Sequence, residues 1–255
     1  MFKHIRTIAY YTLLEAIRNR ITWLLVVIIL AAVGLTGFLN ELALTEKREF
    51  QLAMMASFLR FSAIFLLATF IVTSVVREFN DKVLQLVLAM PLTRAGYLLG
   101  KQLGFALISI VFALVFGLLT SLLALPMQSL LWTLSLLLEC WIIAAFSLLC
   151  VITFNQVMPA LTSVIGFYLM ARSITALELI SHQPLLEKTL SNRIMTTMID
   201  ALSAVIPHLD NYTRTEWLVY NMGNLSALVP LLGQCVIYLL LLSGAALFDF
   251  YRKNL

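Results

Sequence analysis

Charged residues are scarce in this sequence of 255 residues, at 12 % of the chain, and cysteine is nearly absent, with three residues. Soluble globular domains usually carry about 25 % charged residues, so this content excludes an ordinary soluble domain. The cysteines Cys140, Cys150 and Cys235 all lie inside apolar stretches. We therefore expect them to be buried as small hydrophobic residues rather than to form a disulfide or metal set.

Hydrophobic residues make up 62 % of the chain and occur in long runs. Glu139 is the only charged residue between Lys101 and Arg172. Because about 20 apolar residues cross roughly 30 Å of hydrocarbon, such runs predict transmembrane helices. The first run follows a long basic segment and lacks a short apolar region with a cleavage site, so we interpret it as a retained span. The six predicted spans are residues 21–39, 58–76, 103–125, 130–154, 158–177 and 228–248.

The basic residues predict the orientation of these spans. With the N-terminus in the cytoplasm, ten of the 17 Lys and Arg residues fall on the inner side, close to span ends. The other seven fall on the outer side, and Arg60 and Arg172 among them lie near outer span ends. Positive charge favours the cytoplasmic side of short loops. We therefore expect both termini to be cytoplasmic, in an all-α integral membrane protein with a single transmembrane domain over residues 1–255.

A helical pattern precedes the first span. Apolar residues between Phe2 and Asn19 recur at helical spacing, and the basic residues Lys3, Arg6 and Arg18 lie largely on the other side. This predicts an amphipathic interfacial helix over residues 1–20 that lies in the headgroup plane. The alternative is a continuation of the first transmembrane helix into the cytoplasm.

The connecting segment on the outer side also has a helical pattern. In the outer loop, residues 178–227, an apolar stripe runs from Leu190 to Val205 and Pro207 ends it, while Thr213 and Glu216 have the spacing of a capping box. We therefore expect two outer helices that lie on, or dip into, the outer leaflet.

The cytoplasmic segment 77–102 predicts a stiff helical elbow. Asn80 or Asp81 can cap a short helix, Pro91 ends it, and Thr93 can cap the next helix. One face of the short helix is apolar and carries Val83, Leu86, Val87 and Met90.

No catalytic or nucleotide-binding set is found in the sequence. The stretch from Gly96 to Gln102 has three residues between its glycines, and Gln102 stands where a phosphate-binding loop needs Ser or Thr. The histidines His4, His182 and His208 lack metal-ligand spacing. We expect no enzyme activity, no cofactor and no metal site in this chain.

Glu139 and Arg172 are charges inside apolar spans, where each costs about 2.5–3.5 kcal/mol on insertion scales. They lie on neighbouring antiparallel spans joined by a turn at Asn155 to Pro159. Measured from that turn they are about 26 and 23 Å along their helices, so they reach nearly equal depth. We predict that they pair and fix this hairpin; the alternative is that they line a polar substrate path.

Gly100 and Gly104 have small-xxx-small spacing at the start of the third span. Such spacing allows close helix packing, either within the chain or between two copies.

The elbow resembles that of the ABC transporter type-2 permease family. In that family an acidic residue is followed by a leucine-rich helix, a proline, a basic residue and Leu-Leu-Gly-Lys. The corresponding elements here are Glu78, Leu84 to Leu88, Pro91, Arg94 and Leu98 to Lys101. The N-terminal segment, with Glu15 and Arg18-Asn19-Arg20, looks like the family's interfacial helix, whereas Asp81-Lys82 departs from the Gly-Thr that the family often has. The long outer loop is similar to permeases with periplasmic partners, such as the copper-site assembly permease of the nitrous oxide reductase system.

The resemblance implies a permease subunit in a bacterial inner membrane, in a homodimer or with a sister permease. Separate cytoplasmic ATPase subunits would bind ATP and Mg and drive transport, most often export. The implied ATPase-coupling residues are Glu78, Asp81, Lys82, Leu86, Pro91 and Arg94. A second hypothesis is a mechanical module that passes ATPase motion to a periplasmic protein through the outer loop. A secondary transporter is disfavoured because intramembrane acids are few and no pair of broken spans marks a midplane site. The basic residues flank spans instead of forming one stripe, so no nucleic-acid partner is expected.

Overall fold

The computed structural model describes residues 2–19, 21–42, 47–81, 93–182 and 190–253, and all regular structure in these ranges is helical. Nine α-helices occur there, with short 3-10 turns at Leu209–Asn211 and Leu225–Ala227. The helices are α1 (Phe2–Arg18), α2 (Ile21–Leu42), α3 (Lys47–Asn80), α4 (Arg94–Ser121), α5 (Pro126–Phe154), α6 (Val157–Ser181), α7 (Leu190–Val205), α8 (Thr215–Val219) and α9 (Leu228–Arg252).

Six of these helices are long and apolar enough to cross a membrane, as predicted: α2, α3, α4, α5, α6 and α9. Their bounds differ from the predicted ones mainly at α3, which has 34 residues and begins eleven residues before the predicted span at Phe58. At 1.5 Å per residue α3 is about 51 Å long, so it exceeds the roughly 30 Å of a hydrocarbon core. The third span was predicted over residues 103–125, whereas α4 begins earlier, at Arg94, and ends at Ser121.

The core lies along α3 and α5, which are largely buried and pack against each other. Helix α5 also contacts α4, α6 and α9. In contrast, α2 and α9 expose most of their apolar surface, for example at Leu30 and Leu240. A soluble protein rarely exposes such continuous apolar surface, whereas lipid covers it at no cost. The chain is a multi-pass membrane protein.

The N-terminal helix α1 is separate from α2 and packs against α4. The predicted apolar side is used for this contact, since Ile5, Ala9 and Ala16 are buried. The glycines of α4 make the close approach possible: a Cβ at Gly104 would lie 2.7 Å from the Cβ of Thr12. In the described structure, the Gly100 and Gly104 spacing therefore serves packing within the chain.

Helix ends follow the local sequence at two predicted points. Thr93 is the N-cap of α4, and its hydroxyl accepts a hydrogen bond from the Gly96 N–H at 3.1 Å. Asn155 ends α5 in the left-handed conformation, with φ 55°, which asparagine tolerates better than most residues. The turn before α6 is thus shorter than predicted, because α6 already begins at Val157.

The segment between α6 and α9, predicted above to be the outer loop and called the outer segment below, contains the predicted helix α7, which ends before Pro207. The predicted capping box at Thr213 and Glu216 is wrong. Helix α8 begins at Thr215, and its N-cap Arg214 makes no side-chain cap hydrogen bond. Thr213 is instead completely buried at φ 45°, and its hydroxyl donates to the Glu139 carboxylate at 2.7 Å. A bond to a buried charge is worth more than a cap bond at the surface, so the tertiary contact decides the conformation.

Candidate functional sites

The first candidate site is the Lys101 cluster, formed by Glu15, Ser74, Glu78, Tyr97 and Lys101. The Lys101 ammonium donates to Glu78 Oε1 and lies 3.8 Å from Glu15 Oε2. Tyr97 donates its hydroxyl to Glu78 Oε2 at 2.5 Å, and Ser74 donates to Glu15 Oε1 at 2.9 Å. The cluster therefore ties together α1, the last turns of α3 and the first turns of α4.

Burial shields the Lys101 cluster from water. The Lys101 side chain is only 5 % exposed, and the Glu78 and Glu15 side chains are 20 % and 30 % exposed. Ion pairs shielded from water are weakened little by salt, unlike exposed pairs. Because the segment between α3 and α4 starts three residues after Glu78, both of its flanking helices are held at one point.

The structure places the other predicted coupling residues in different surroundings. Asp81 is an exposed turn residue at the end of α3. Arg94 donates through Nη1 to the carbonyl oxygens of Phe250, Tyr251 and Lys253, at 3.0, 3.2 and 3.0 Å. It therefore satisfies carbonyl groups at the end of α9, a usual role for arginine at a helix C-terminus. Lys82, Leu86 and Pro91 lie outside the described residues.

A second basic residue, Lys253, binds helix ends on the same side of the bundle as Arg94. Lys253 donates to the Ile152 carbonyl and to the Asn155 side chain at the end of α5, and it lies over the Phe79 ring. Burial lowers the pKa of the Lys253 ammonium, and the nearby Asp249 carboxylate opposes that shift. The ends of α3, α5 and α9 and the start of α4 are thus connected by polar contacts.

The second candidate site is the Thr213 cluster, formed by Arg60, Ser135, Glu139, Arg172 and Thr213. It brings together the predicted pair, since Arg172 Nη1 lies 3.3 Å from Glu139 Oε1. Every polar group of Thr213 is bonded. Its N–H donates to Ser135 Oγ at 2.8 Å, its carbonyl accepts from Arg60 at 3.2 Å, and its hydroxyl donates to Glu139 and accepts from Arg172.

Arg172 also binds the backbone of the outer segment. Its Nη1 donates to the Leu209 carbonyl at 2.7 Å and to the Tyr212 carbonyl at 3.2 Å. Tyr212 in turn donates its hydroxyl to the Leu231 carbonyl of α9 at 2.8 Å, and burial raises the pKa of this phenol above its usual range. The outer segment is therefore fixed to α3, α5, α6 and α9 by buried hydrogen bonds.

The Thr213 cluster holds two guanidinium groups and one carboxylate, a formal charge of +1. Glu139 is completely buried and Arg60 nearly so. Arg60 Nε and the Tyr168 hydroxyl lie buried without a hydrogen-bond partner among the described residues. Buried polar groups are usually satisfied, so these two atoms are exceptions within an otherwise bonded cluster.

Sequence reasoning misses several members of both clusters. Arg60 is counted above with the outer span ends, and its position in an apolar run is the signal that could have placed it in the interior. Glu15, Tyr97 and Lys101 lie within the stretches that carry the family resemblance, but nothing in their spacing indicates that they meet. Thr213 could be found only from the three-dimensional structure.

Fold and sites define the class of protein: a helical, multi-pass membrane protein with one polar cluster at the end of α3 and the start of α4, and another around Arg60 in the first half of α3. Comparison of the sequence with models of known protein families finds no match. Comparison with curated proteins likewise finds no significant similarity.

Proposed function

We propose that this chain is the membrane-spanning subunit of an ATP-binding cassette transporter of the type-2 permease class. A separate cytoplasmic ATPase supplies the energy, and the chain works as a dimer in a bacterial inner membrane, most often for export. The proposal rests on the elbow motif, the six spans and the interfacial helix α1 that packs against the helix following the elbow.

The observation that carries the proposal is the Lys101 cluster. A force applied to the segment between α3 and α4 acts on Glu78 and Lys101 together, because their side chains are bonded. Helix α1 moves with them through Glu15. Such an element transmits motion as a rigid body instead of deforming locally.

The contacts of Glu78 affect how a substitution at this position can be interpreted. Its carboxylate faces Lys101 and Tyr97, so loss of Glu78 damages the cluster in addition to any contact with an ATPase. Leu86 separates the two effects, because it belongs to the predicted apolar face of the elbow. Gln85 is its natural control, since it is the adjacent residue and is not part of that face.

The test uses the full chain reconstituted in proteoliposomes with a candidate ATPase, chosen among the products of neighbouring genes by its phosphate-binding loop. Leu86→Glu should abolish complex formation and the stimulation of ATP hydrolysis, whereas Gln85→Glu, with the same added charge, should preserve both. Equal effects of the two variants would contradict the docking surface. ATP hydrolysis, or proton-driven solute uptake, by the purified chain alone would overturn the proposal as a whole.

A second candidate function is a mechanical module that passes ATPase motion to a periplasmic protein without transport. The Thr213 cluster favours it, because α3 carries both Glu78 and Arg60, about 27 Å apart along one continuous helix. Motion at the elbow would thus reach the outer segment directly. Capture of a stable periplasmic protein through residues 190–227 would favour this function, and its absence together with solute transport would favour the first.

A further inference from the structure

Three side chains with metal-binding atoms converge where α6 meets α7. Glu178 and His182 are one helical turn apart at the end of α6, so they share a face. Asp200 reaches them from α7. One ligand atom from each of the three lies within 4.8 Å of the other two, and His182 Nε2 is 2.9 Å from Asp200 Oδ1. The sequence does not predict this site, because the third residue, Asp200, comes from another helix.

The chemistry of this donor set selects a class of ion. Calcium and magnesium prefer oxygen ligands only, and copper(I) prefers sulfur. One imidazole with two carboxylates suits a first-row divalent cation such as Zn²⁺, which is bound at about 2.0–2.2 Å by nitrogen and oxygen ligands. We propose that Glu178, His182 and Asp200 form a binding site for such a cation, with water as a further ligand.

Exposure and orientation both fit an ion that arrives from solution. The His182 and Asp200 side chains are 55 % and 48 % exposed, so they are free to turn toward a shared ion. Glu178 is less exposed and is already oriented, because the buried Ser203 hydroxyl donates to its Oε2 at 3.2 Å. Ser203 Oγ also lies 3.4 Å from His208 Nε2. Outer-shell hydrogen bonds of this kind fix ligating carboxylates and strengthen metal binding.

The alternative is an exposed ion pair between His182 and Asp200, and such pairs contribute about 0–1 kcal/mol at most surfaces. That alternative gives no role to Glu178 or to its bond with Ser203. A bound cation would use all three ligands and join α6 to α7. It would thereby fix the start of the segment that leads to the Thr213 cluster, whichever function the chain performs.

The experiment uses the full-length chain, tag-free and treated with chelator, in detergent micelles. Equilibrium dialysis and calorimetry with Zn²⁺ should show one ion per chain, and Co²⁺ should give a visible absorption band typical of nitrogen and oxygen ligation. His182→Gln and Asp200→Asn should abolish this binding, while His4→Gln and Glu216→Gln, matched changes elsewhere, should leave it unchanged. Ser203→Ala should weaken binding by about 10- to 100-fold, the usual effect of an outer-shell partner.

Two results would overturn the site. One is the absence of stoichiometric Zn²⁺ binding by the native chain. The other is binding that survives both His182→Gln and Asp200→Asn, which would assign the ion to other residues. Because both positions are half exposed, circular dichroism of the two variants should match that of the native chain.

Discussion

Thr213→Val is expected to lower the free energy of unfolding by about 1.5–3 kcal/mol, the usual value of a hydrogen bond to a charged group. Valine keeps the shape of threonine, and the backbone bonds to Ser135 and Arg60 remain. What is lost is the hydroxyl that donates to Glu139 at 2.7 Å. Arg172 keeps three other acceptors, at 2.7, 3.2 and 3.3 Å, so the bond to the completely buried carboxylate accounts for most of the loss.

The assay is reversible unfolding by sodium dodecyl sulfate in lipid–detergent micelles, followed by tryptophan fluorescence. Trp217, one of four tryptophans, is buried in α8, so the signal includes the outer segment. The control is Thr162→Val on α6, where the exposed hydroxyl bonds only to carbonyl groups of its own helix. That variant should stay within about 0.5 kcal/mol of the native chain, as surface substitutions usually do.

A double-mutant cycle with Glu139→Gln tests the reasoning more sharply. If the Thr213 hydroxyl acts through the charge of Glu139, then Thr213→Val should cost only about 0.5–1.5 kcal/mol in the Glu139→Gln background, the value of a neutral hydrogen bond. The two substitutions would then be coupled by about 1 kcal/mol or more. Additive effects, or a Thr213→Val variant as stable as the native chain, would refute the role of the cluster as an anchor.

Three further predictions concern the end of the bundle near the elbow. Gly104→Val should displace α1, because the new side chain meets Thr12, and protease should then cut α1 faster. Lys101→Met should destabilise the chain by about 1.5–3 kcal/mol in the same unfolding assay, since Glu78 loses a charged hydrogen bond. Arg94→Met should increase hydrogen exchange in the last turn of α9, whose carbonyl groups lose their donor.

Each of these three predictions has a matched control. Gly244→Val in α9 adds the same atoms where no atom lies within 4 Å, so α1 should stay protected. Arg6→Met removes an exposed positive charge from α1 and should have little effect on unfolding or on exchange in α9. A native-like result for Lys101→Met or Arg94→Met would contradict the contact that each one removes, and a native-like result for Gly104→Val would contradict the close packing of α1 on α4.

The six spans could be predicted because each is a long apolar run with at most one charged residue, and lipid leaves few alternatives to a helix there. The same criterion, hydropathy, does not predict the start of α3. Residues 47–57 include Lys47, Arg48, Glu49 and Gln51, so they do not have the hydropathy of a span, although the helix simply continues through them. Hydropathy identifies the part of a helix that crosses the membrane. The full length of the helix also depends on packing outside that part.

The pairing of Glu139 with Arg172 could be inferred because both positions are counted from one short turn. The remaining partners could not, since Arg60 and Thr213 come from distant parts of the chain. This affects how the pair is tested. An exchange of Glu139 and Arg172 would place a carboxylate against the Leu209 and Tyr212 carbonyl oxygens, so failure of the exchange would not disprove the pair.

Local patterns failed where a buried charge competes with them. Thr213 and Glu216 have capping-box spacing, yet the Thr213 hydroxyl binds Glu139 instead. The elbow residues Lys82, Leu86 and Pro91 lie outside the described part of the chain, so their role stays a prediction. The acidic Glu78 was singled out by the motif, but its bonded neighbours were visible only in the structure.

The Thr213 cluster also has a consequence for how the protein is made. Arg60, Glu139 and Arg172 enter the bilayer on three different helices, and each is costly there by itself, by about 2.5–3.5 kcal/mol. Their hydrogen-bond partners come from one another and from residues 209–213, which lie between α7 and α8. The three buried charges therefore obtain these hydrogen bonds only when this short stretch is docked against α3, α5 and α6.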